Sequence, residues 1–283
     1  MYLKSAKTLL FAFMGLFLVA CGDHNLSDDF DLELYSQNII LNGVDTRERI
    51  TSPIGVESYV GVVEAKFEGA QSFIRCTATL IAEDYLLTSA HCLLNQNLAQ
   101  LEFLRFRPQV LGPNSRHRVY ELDAAWVPQK FVELLEEGRV PVSKLGRYDI
   151  GIAKFQSRRF SRSPGVRYGY AQIGPTDLNK PSFEAYVVGY PRDKDLFTLW
   201  RSECQVTALS ENTMRTPCDL LLGQSGAPVI DISGEQEIVR GVFSFASALL
   251  AMNYSTQISS DFYHDIHRIL AGKKTLKKFK PIY

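Results

Sequence analysis

The 283-residue sequence has no charge excess of either sign, with 31 Lys and Arg against 31 Asp and Glu. That balance argues against a nucleic-acid binder that works through a basic face. Cysteine is scarce: there are five, with no Cys-x-x-Cys pair backed by a second one nearby, which argues against a zinc site. Histidine is equally scarce, so chemistry that needs an imidazole has only five candidates. No internal repeat is strong enough to set a period. The apolar run Leu9–Ala20 is too short for a comfortable membrane span. Hydrophobic residues, by contrast, make up 46% of the chain, enough for a sizeable core, and the length permits one large or two modest domains.

Lys4 and Lys7 precede the apolar run, the charge asymmetry of an export signal, so residues 1–20 are read as a signal peptide outside the fold. Leu18-Val19-Ala20-Cys21 resembles the lipobox of bacterial lipoproteins. The resemblance implies cleavage before Cys21, acylation of its thiol and attachment to a membrane surface. Gly22, rather than an aspartate, follows the cysteine, which points to an outer-membrane or cell-surface anchor. Export to an oxidising space makes Cys76, Cys92, Cys204 and Cys218 two disulfides, with three pairings open.

Residues 21–48 are read as an acidic spacer. From about Ile50 onward, short runs rich in Val, Ile, Phe and Tyr alternate with Gly, Pro, Asn and Asp, as in SYVGVVEAKF, EFLRFRPQV, EAYVVGY and VRGVFSF. Regular short strands with turn signals predict an all-β sandwich or barrel. The stretch QSRRFSRSPGVRYGY divides them into two groups, giving two domains over 49–167 and 168–272. Few helices are expected: a turn at HCLLNQ, a surface helix at FVELLEEG and a terminal helix in SDFYHDIHRILAG. The terminal helix would be capped by Ser260 or Asp261, with Phe262, Ile266, Ile269 and Leu270 on one stripe and Gly272 as its stop. Residues 273–283 read as a basic, solvated tail.

GQSGAP sets Ser225 between two glycines, as in a sharp turn that presents a hydroxyl. A nucleophilic serine needs a base, and the base needs a group to hold its tautomer. Of the histidines, His91 alone ends a strand-like run, YLLTSAHC. Asp149 opens the alternating strand of RYDIGIAKF, where a buried acid needs a partner to offset its desolvation.

In that order, LLTSAHC, YDIGIAKF and GQSGAP resemble the His, Asp and Ser motifs of the chymotrypsin-like (trypsin-like) serine peptidases. The segments NGVDTRERITS and PCDLLLGQSGAPV are most similar to the bacterial V8-like, or glutamyl endopeptidase-like, branch. The resemblance covers roughly Asn42 to Ile269 and implies two six-stranded antiparallel β-barrels with the active site between them. It also implies the pairings Cys76–Cys92 and Cys204–Cys218. His91, Asp149 and Ser225 would form the triad, with the N–H groups of Gly223 and Ser225 as the oxyanion hole. RGVFSFAS would be the strand beside the substrate, with Ser244 bonded to Asp149 and Phe245 lining the cleft.

Gln224 stands where animal trypsin-like enzymes carry an aspartate that receives a newly cut N-terminus, so activation of that kind is disfavoured. Phe243 takes the position at which glutamyl peptidases hold the substrate carboxylate with a histidine, which weakens an expectation of Glu specificity. Asp219, six residues before Ser225, has the spacing that gives trypsins their Arg/Lys pocket, and is a candidate substrate-binding acid. The expected activity is that of a membrane-anchored serine endopeptidase, monomeric, acting on protein or peptide substrates. No metal or organic cofactor is implied. The alternative is a noncatalytic lipoprotein of the same fold that binds peptides or envelope partners.

Overall fold

A computed structural model describes residues 40–115, 117–156, 162–247 and 250–283. The expected signal peptide, the lipobox with Cys21 and most of the acidic spacer lie outside the described residues. Strand β1 (Glu48–Ile50) is followed by β2 (Val60–Phe67), β3 (Ile74–Ala82), β4 (Tyr85–Thr88), β5 (Leu101–Pro108), β6 (Tyr120–Pro128) and β7 (Gly151–Phe155). Strands β2 to β7 close on themselves in the order β2-β3-β4-β7-β6-β5, all antiparallel. Then come β8 (Gln172–Ile173), β9 (Ser182–Gly189), β10 (Leu199–Ser210), β11 (Thr213–Arg215), β12 (Pro228–Asp231), β13 (Ile238–Ser247), β14 (Met252–Gln257) and β15 (Phe279–Pro281). Strands β9 to β14 form the second ring, β9-β10-β11-β14-β13-β12. The protein is thus all-β, with two six-stranded antiparallel barrels; closing each ring removes the exposed edges an open sheet would present.

The strands that face both barrel interior and barrel interface are the ones whose sequences do not alternate. In β2, Val63, Ala65 and Phe67 enter the core of the first barrel, while Val60 and Val62 enter a second core between the barrels. In β9, Phe183, Ala185 and Val187 fill the second barrel, and Tyr186 and Val188 face the shared core. Period-2 geometry puts successive side chains on opposite faces, so burial on both faces reads as a continuous apolar run. Each fully buried Val or Phe contributes roughly 1.5–3 kcal/mol.

The chain ends exchange barrels. β1 pairs with β10 of the second barrel, and β15 pairs with β6 of the first. The expected solvated tail is therefore a correction. The carboxylate of Asp265 accepts the N–H groups of Lys277, Lys278 and Phe279 at 2.7, 2.5 and 3.2 Å, and Phe279 packs edge-on against Phe262. Five lysines in eight residues masked the one buried ring that decides where the segment lies.

Helices are few among the described residues: α1 (Gln129–Glu136), α2 (Val142–Leu145), α3 (Pro164–Tyr168) and α4 (Ser260–Leu270). α4 buries the predicted Phe262, Ile266 and Ile269, but its cap is Ser259, one residue earlier than expected, whose Oγ accepts Phe262 N–H. α3 lies within the stretch expected to be a linker. No helix among the described residues is long and apolar enough to cross a membrane.

Candidate active site

His91 sits in a 3-10 turn, Ala90–Cys92, just past the end of β4, in a barrel wall that buries Thr88, Ser89 and Ala90 completely. Asp149 lies two residues before β7, the neighbour of β4, so the antiparallel pairing brings the two residues to the same rim. The Asp149 carboxylate is wholly buried and accepts three hydrogen bonds: from His91 N–H to Oδ1 at 2.9 Å, from His91 Nδ1 to Oδ2 at 2.7 Å, and from Ser244 Oγ to Oδ2 at 2.5 Å. Thr256 Oγ1 lies within 3.1 Å of the Asp149 carbonyl and 2.6 Å of that of Gly146. This fixes from the second barrel the backbone that carries the acid. A carboxylate bonded to the imidazole Nδ1–H holds the tautomer in which Nε2 is the basic nitrogen.

Ser225 lies in the loop between the Cys218 region and β12. The loop reaches across to the first barrel, where Thr77 N–H donates to the Ser225 carbonyl at 2.8 Å and Thr77 Oγ1 to the Gly223 carbonyl at 3.1 Å. The glycines are required by space as well as by torsion. Gly223 has φ +91°, and a Cβ there would lie 2.5 Å from the Tyr190 carbonyl; Gly226 has φ +79°, and a Cβ would lie 2.2 Å from Thr88 Oγ1. The amides of Gln224, Gly226 and Ala227 donate to loop or strand carbonyls. Those of Gly223 and Ser225 make no such bond among the described residues. The buried Gln224 side chain accepts Leu221 N–H through Oε1 at 3.0 Å, a neutral brace within the loop itself.

Both expected disulfides, Cys76–Cys92 and Cys204–Cys218, are formed. Cys76, Cys92 and His91 lie close enough together for metal ligation, but the two sulfurs are bonded to each other and offer no thiolate.

Two expected substrate contacts need correcting. Asp219 is buried and its carboxylate is consumed by the chain's own leading segment: Oδ1 accepts Leu41 N–H at 2.8 Å, and Oδ2 accepts Thr46 N–H at 2.8 Å and Thr46 Oγ1 at 2.5 Å. With those donors in place its charge is already solvated by protein and is not the open anion of an Arg/Lys pocket. Phe243 is fully buried in the core of the second barrel with Val187, Val206 and Val229, so its ring does not reach a cleft. Its backbone matters instead, because the Phe243 carbonyl accepts Ser89 Oγ and Gly226 N–H, both at 2.8 Å, and so ties the histidine turn to the serine loop. Phe245 is only 5% exposed, stacked on Tyr254 and pressed toward Gly146.

Sequence reasoning missed Thr77, Ser89 and Thr256, the hydroxyls that join the barrels at the site. Their signal was faint: buried polar residues within apolar strands, which must find partners when folded. It also missed why the leading segment carries Asp45 and Arg47. The Arg47 guanidinium, its side chain 1% exposed, is clamped by Asp45 and Asp193 at 2.5–2.9 Å. Despite the opposing effect of burial, the two acids raise the Arg47 pKa, and the bonds from Arg47 hold the Asp45 carboxyl well below the usual range.

The family described as "Trypsin-like peptidase domain" matches residues 76–239, more than half of the chain. The chain belongs to the trypsin-like peptidase domain family. Among solved structures, this trypsin-like domain is similar to a Glu endopeptidase determined in complex with MPD, at 20% identity and TM-score 0.65 over 81% of this chain and 98% of that one. It is also similar to the protease Anisep from Arthrobacter nicotinovorans, at 16% identity and TM-score 0.58 over 75% and 92%. A thermostable serine protease, AL20, from an extremophilic microorganism aligns at 19% identity and TM-score 0.56 over 71% and 90%. At these identities the likeness is one of fold. No curated protein matches the sequence. Membership of this peptidase family together with two disulfides fits an extracellular or periplasmic location.

Proposed function

We propose that the protein is an exported, membrane-anchored serine endopeptidase of V8-like kind, in which Ser225, His91 and Asp149 form the triad. The observation that carries this reading is the buried Asp149 carboxylate holding both the imidazole and the main chain of His91, at the rim where the Ser225 loop docks. Ser225 Oγ attacks the scissile carbonyl while His91 Nε2 takes its proton. The N–H groups of Gly223 and Ser225 receive the charge that develops on the carbonyl oxygen. As the tetrahedral intermediate collapses, His91 returns the proton to the leaving amine, and water then releases the acyl group by the same route. Asp149 remains ionised and stabilises the imidazolium. Phe245 contributes a narrow apolar edge to the cleft, and Ser244 holds Asp149. Because Asp219 is occupied by residues 41–46, the residue before the scissile bond meets no free carboxylate there, and basic specificity through Asp219 is not expected.

No new N-terminus is required. Gln224 braces the loop without charge, and the leading segment stays joined to the chain while it binds Asp219. This suits a protein tethered through Cys21.

Labelling of the purified ectodomain with a fluorophosphonate tests the chemistry: wild-type protein should label and Ser225→Ala should not. A wild type without Ser225-dependent labelling would leave only a noncatalytic module of this fold. For the anchor, Cys21→Ser should move the protein from the membrane to the soluble fraction, as read by fractionation and immunoblot. Continued membrane association would remove the lipobox reading.

A further inference from the structure

The proposed chemistry fixes where the leaving group lies. With the carbonyl oxygen at the Gly223 and Ser225 amides and His91 donating to the scissile nitrogen, the chain beyond the cut passes over the Cys76–Cys92 disulfide that flanks the histidine. On that side a cavity of about 380 Å³ opens, with Cys76 and Gly223 in its wall beside Phe73, Tyr190, Arg192 and Phe197.

The cations around it are not equivalent. Arg75 donates to buried Glu64 at 3.1 Å, and its guanidinium lies 5.7 Å from the Phe197 ring centre. Lys194 donates to Asp45 at 2.7 Å and sits 4.3 Å from the Trp200 ring centre. Asp193, next in sequence, is engaged by Arg47. Arg192 makes no ion pair among the described residues. Its main chain is held, with N–H donating to the Leu222 carbonyl at 2.7 Å, and its Cγ lies 2.9 Å from where a Cβ on Gly223 would stand. The side chain therefore starts at the edge of the proposed oxyanion hole. Partial burial, and then the like charge of Arg75, both lower its pKa, which marks a guanidinium lacking an anion. Arginine stays charged in such a place and presents a planar fork suited to a carboxylate.

We infer that Arg192 makes this cavity a subsite for an aspartate or glutamate at the first or second position after the scissile bond. The inference rests on the peptidase reading above.

The test uses internally quenched peptides that share one sequence before the bond and carry Glu, Gln or Lys at the first or second position after it. For wild-type protein, Glu should exceed Gln about tenfold in kcat/KM at one of these positions, the scale of a charge-assisted hydrogen bond at a partly exposed site. The Glu:Gln ratio within each variant is the readout, so each protein is its own reference. The ratio should fall to about one in Arg192→Gln, persist in part in Arg192→Lys, and give way to a preference for Lys in Arg192→Glu. It should also shrink in high salt. A wild-type ratio near one, or a ratio unchanged by Arg192→Gln and Arg192→Glu, overturns the proposal. The same peptides titrated against Ser225→Ala separate the two readings. Charge-dependent binding by Ser225→Ala, with no turnover by wild type, overturns the peptidase reading alone. Equal binding of the Glu and Gln peptides overturns this one.

Discussion

Asp149→Asn is expected to lower kcat by about 10⁴-fold while leaving the barrels folded. The carboxylate uses both oxygens, Oδ1 for His91 N–H and Oδ2 for the ring and Ser244 Oγ. An asparagine has one acceptor oxygen and one NH₂ group, so one of those faces becomes a donor. If the amide nitrogen faces the ring, Nδ1 must accept and Nε2 carries the proton, leaving nothing to receive the proton of Ser225. If it faces the main chain, two N–H groups oppose each other and the histidine turn shifts. Either arrangement stops general-base catalysis without opening a cavity, since the side chains are nearly the same size. Steady-state kinetics and the rate of fluorophosphonate labelling should fall together, and circular dichroism and the thermal midpoint should stay near wild type. A variant that keeps more than about a tenth of wild-type kcat would remove Asp149 from the mechanism, and with it the claim that its burial serves the histidine.

Gly226→Ala should be the most destabilising single methyl in the serine loop. Two effects combine there. The torsion of +79° costs an L-residue roughly 1–2 kcal/mol, and the added carbon would meet Thr88 Oγ1 at 2.2 Å and the Thr77 carbonyl at 2.3 Å. The second contact is with strand backbone, which cannot rotate away, so the loop has to lift. Lifting breaks Gly226 N–H to Phe243 and Thr77 N–H to Ser225. A loss of about 3 kcal/mol or more is expected, together with loss of labelling at Ser225. Gly69 isolates the torsional part: it has the same φ of +79° and nothing within 4 Å of an added Cβ, so Gly69→Ala should cost only that torsional part, roughly 1–2 kcal/mol. Denaturant unfolding of the two variants decides the matter. If they lose the same amount, the close approach of the loop to the first barrel is not what demands glycine at position 226.

The sequence by itself determined what is local. Short apolar runs between turn residues specify strands. LLTSAHC ends a strand in a tight turn, and GQSG needs its glycines because the chain there is left-handed and pressed against another strand. Four cysteines besides Cys21, in a chain expected to be exported, point to two bridges. The order of the His, Asp and Ser motifs resembles that of the chymotrypsin-like peptidases, and it is this resemblance, not a local pattern, that implied two consecutive barrels. What tertiary structure alone decided lies at long range. Asp219 has the spacing of a specificity residue, yet donors 173 and 178 residues away consume it. Phe243 stands on the strand expected to lie beside the substrate, but the pleat and a bulge between Phe243 and Phe245 turn its ring into the core. The lysine-rich tail docks because Asp265 offers its backbone a carboxylate and Phe279 finds Phe262. Arg192 looks like any surface cation until the fold sets it beside Gly223 while the neighbouring charges pair elsewhere. Local patterns record torsion and periodicity. Which polar group meets which across a hundred residues depends on the closure of the two barrels, and no short window of sequence records that.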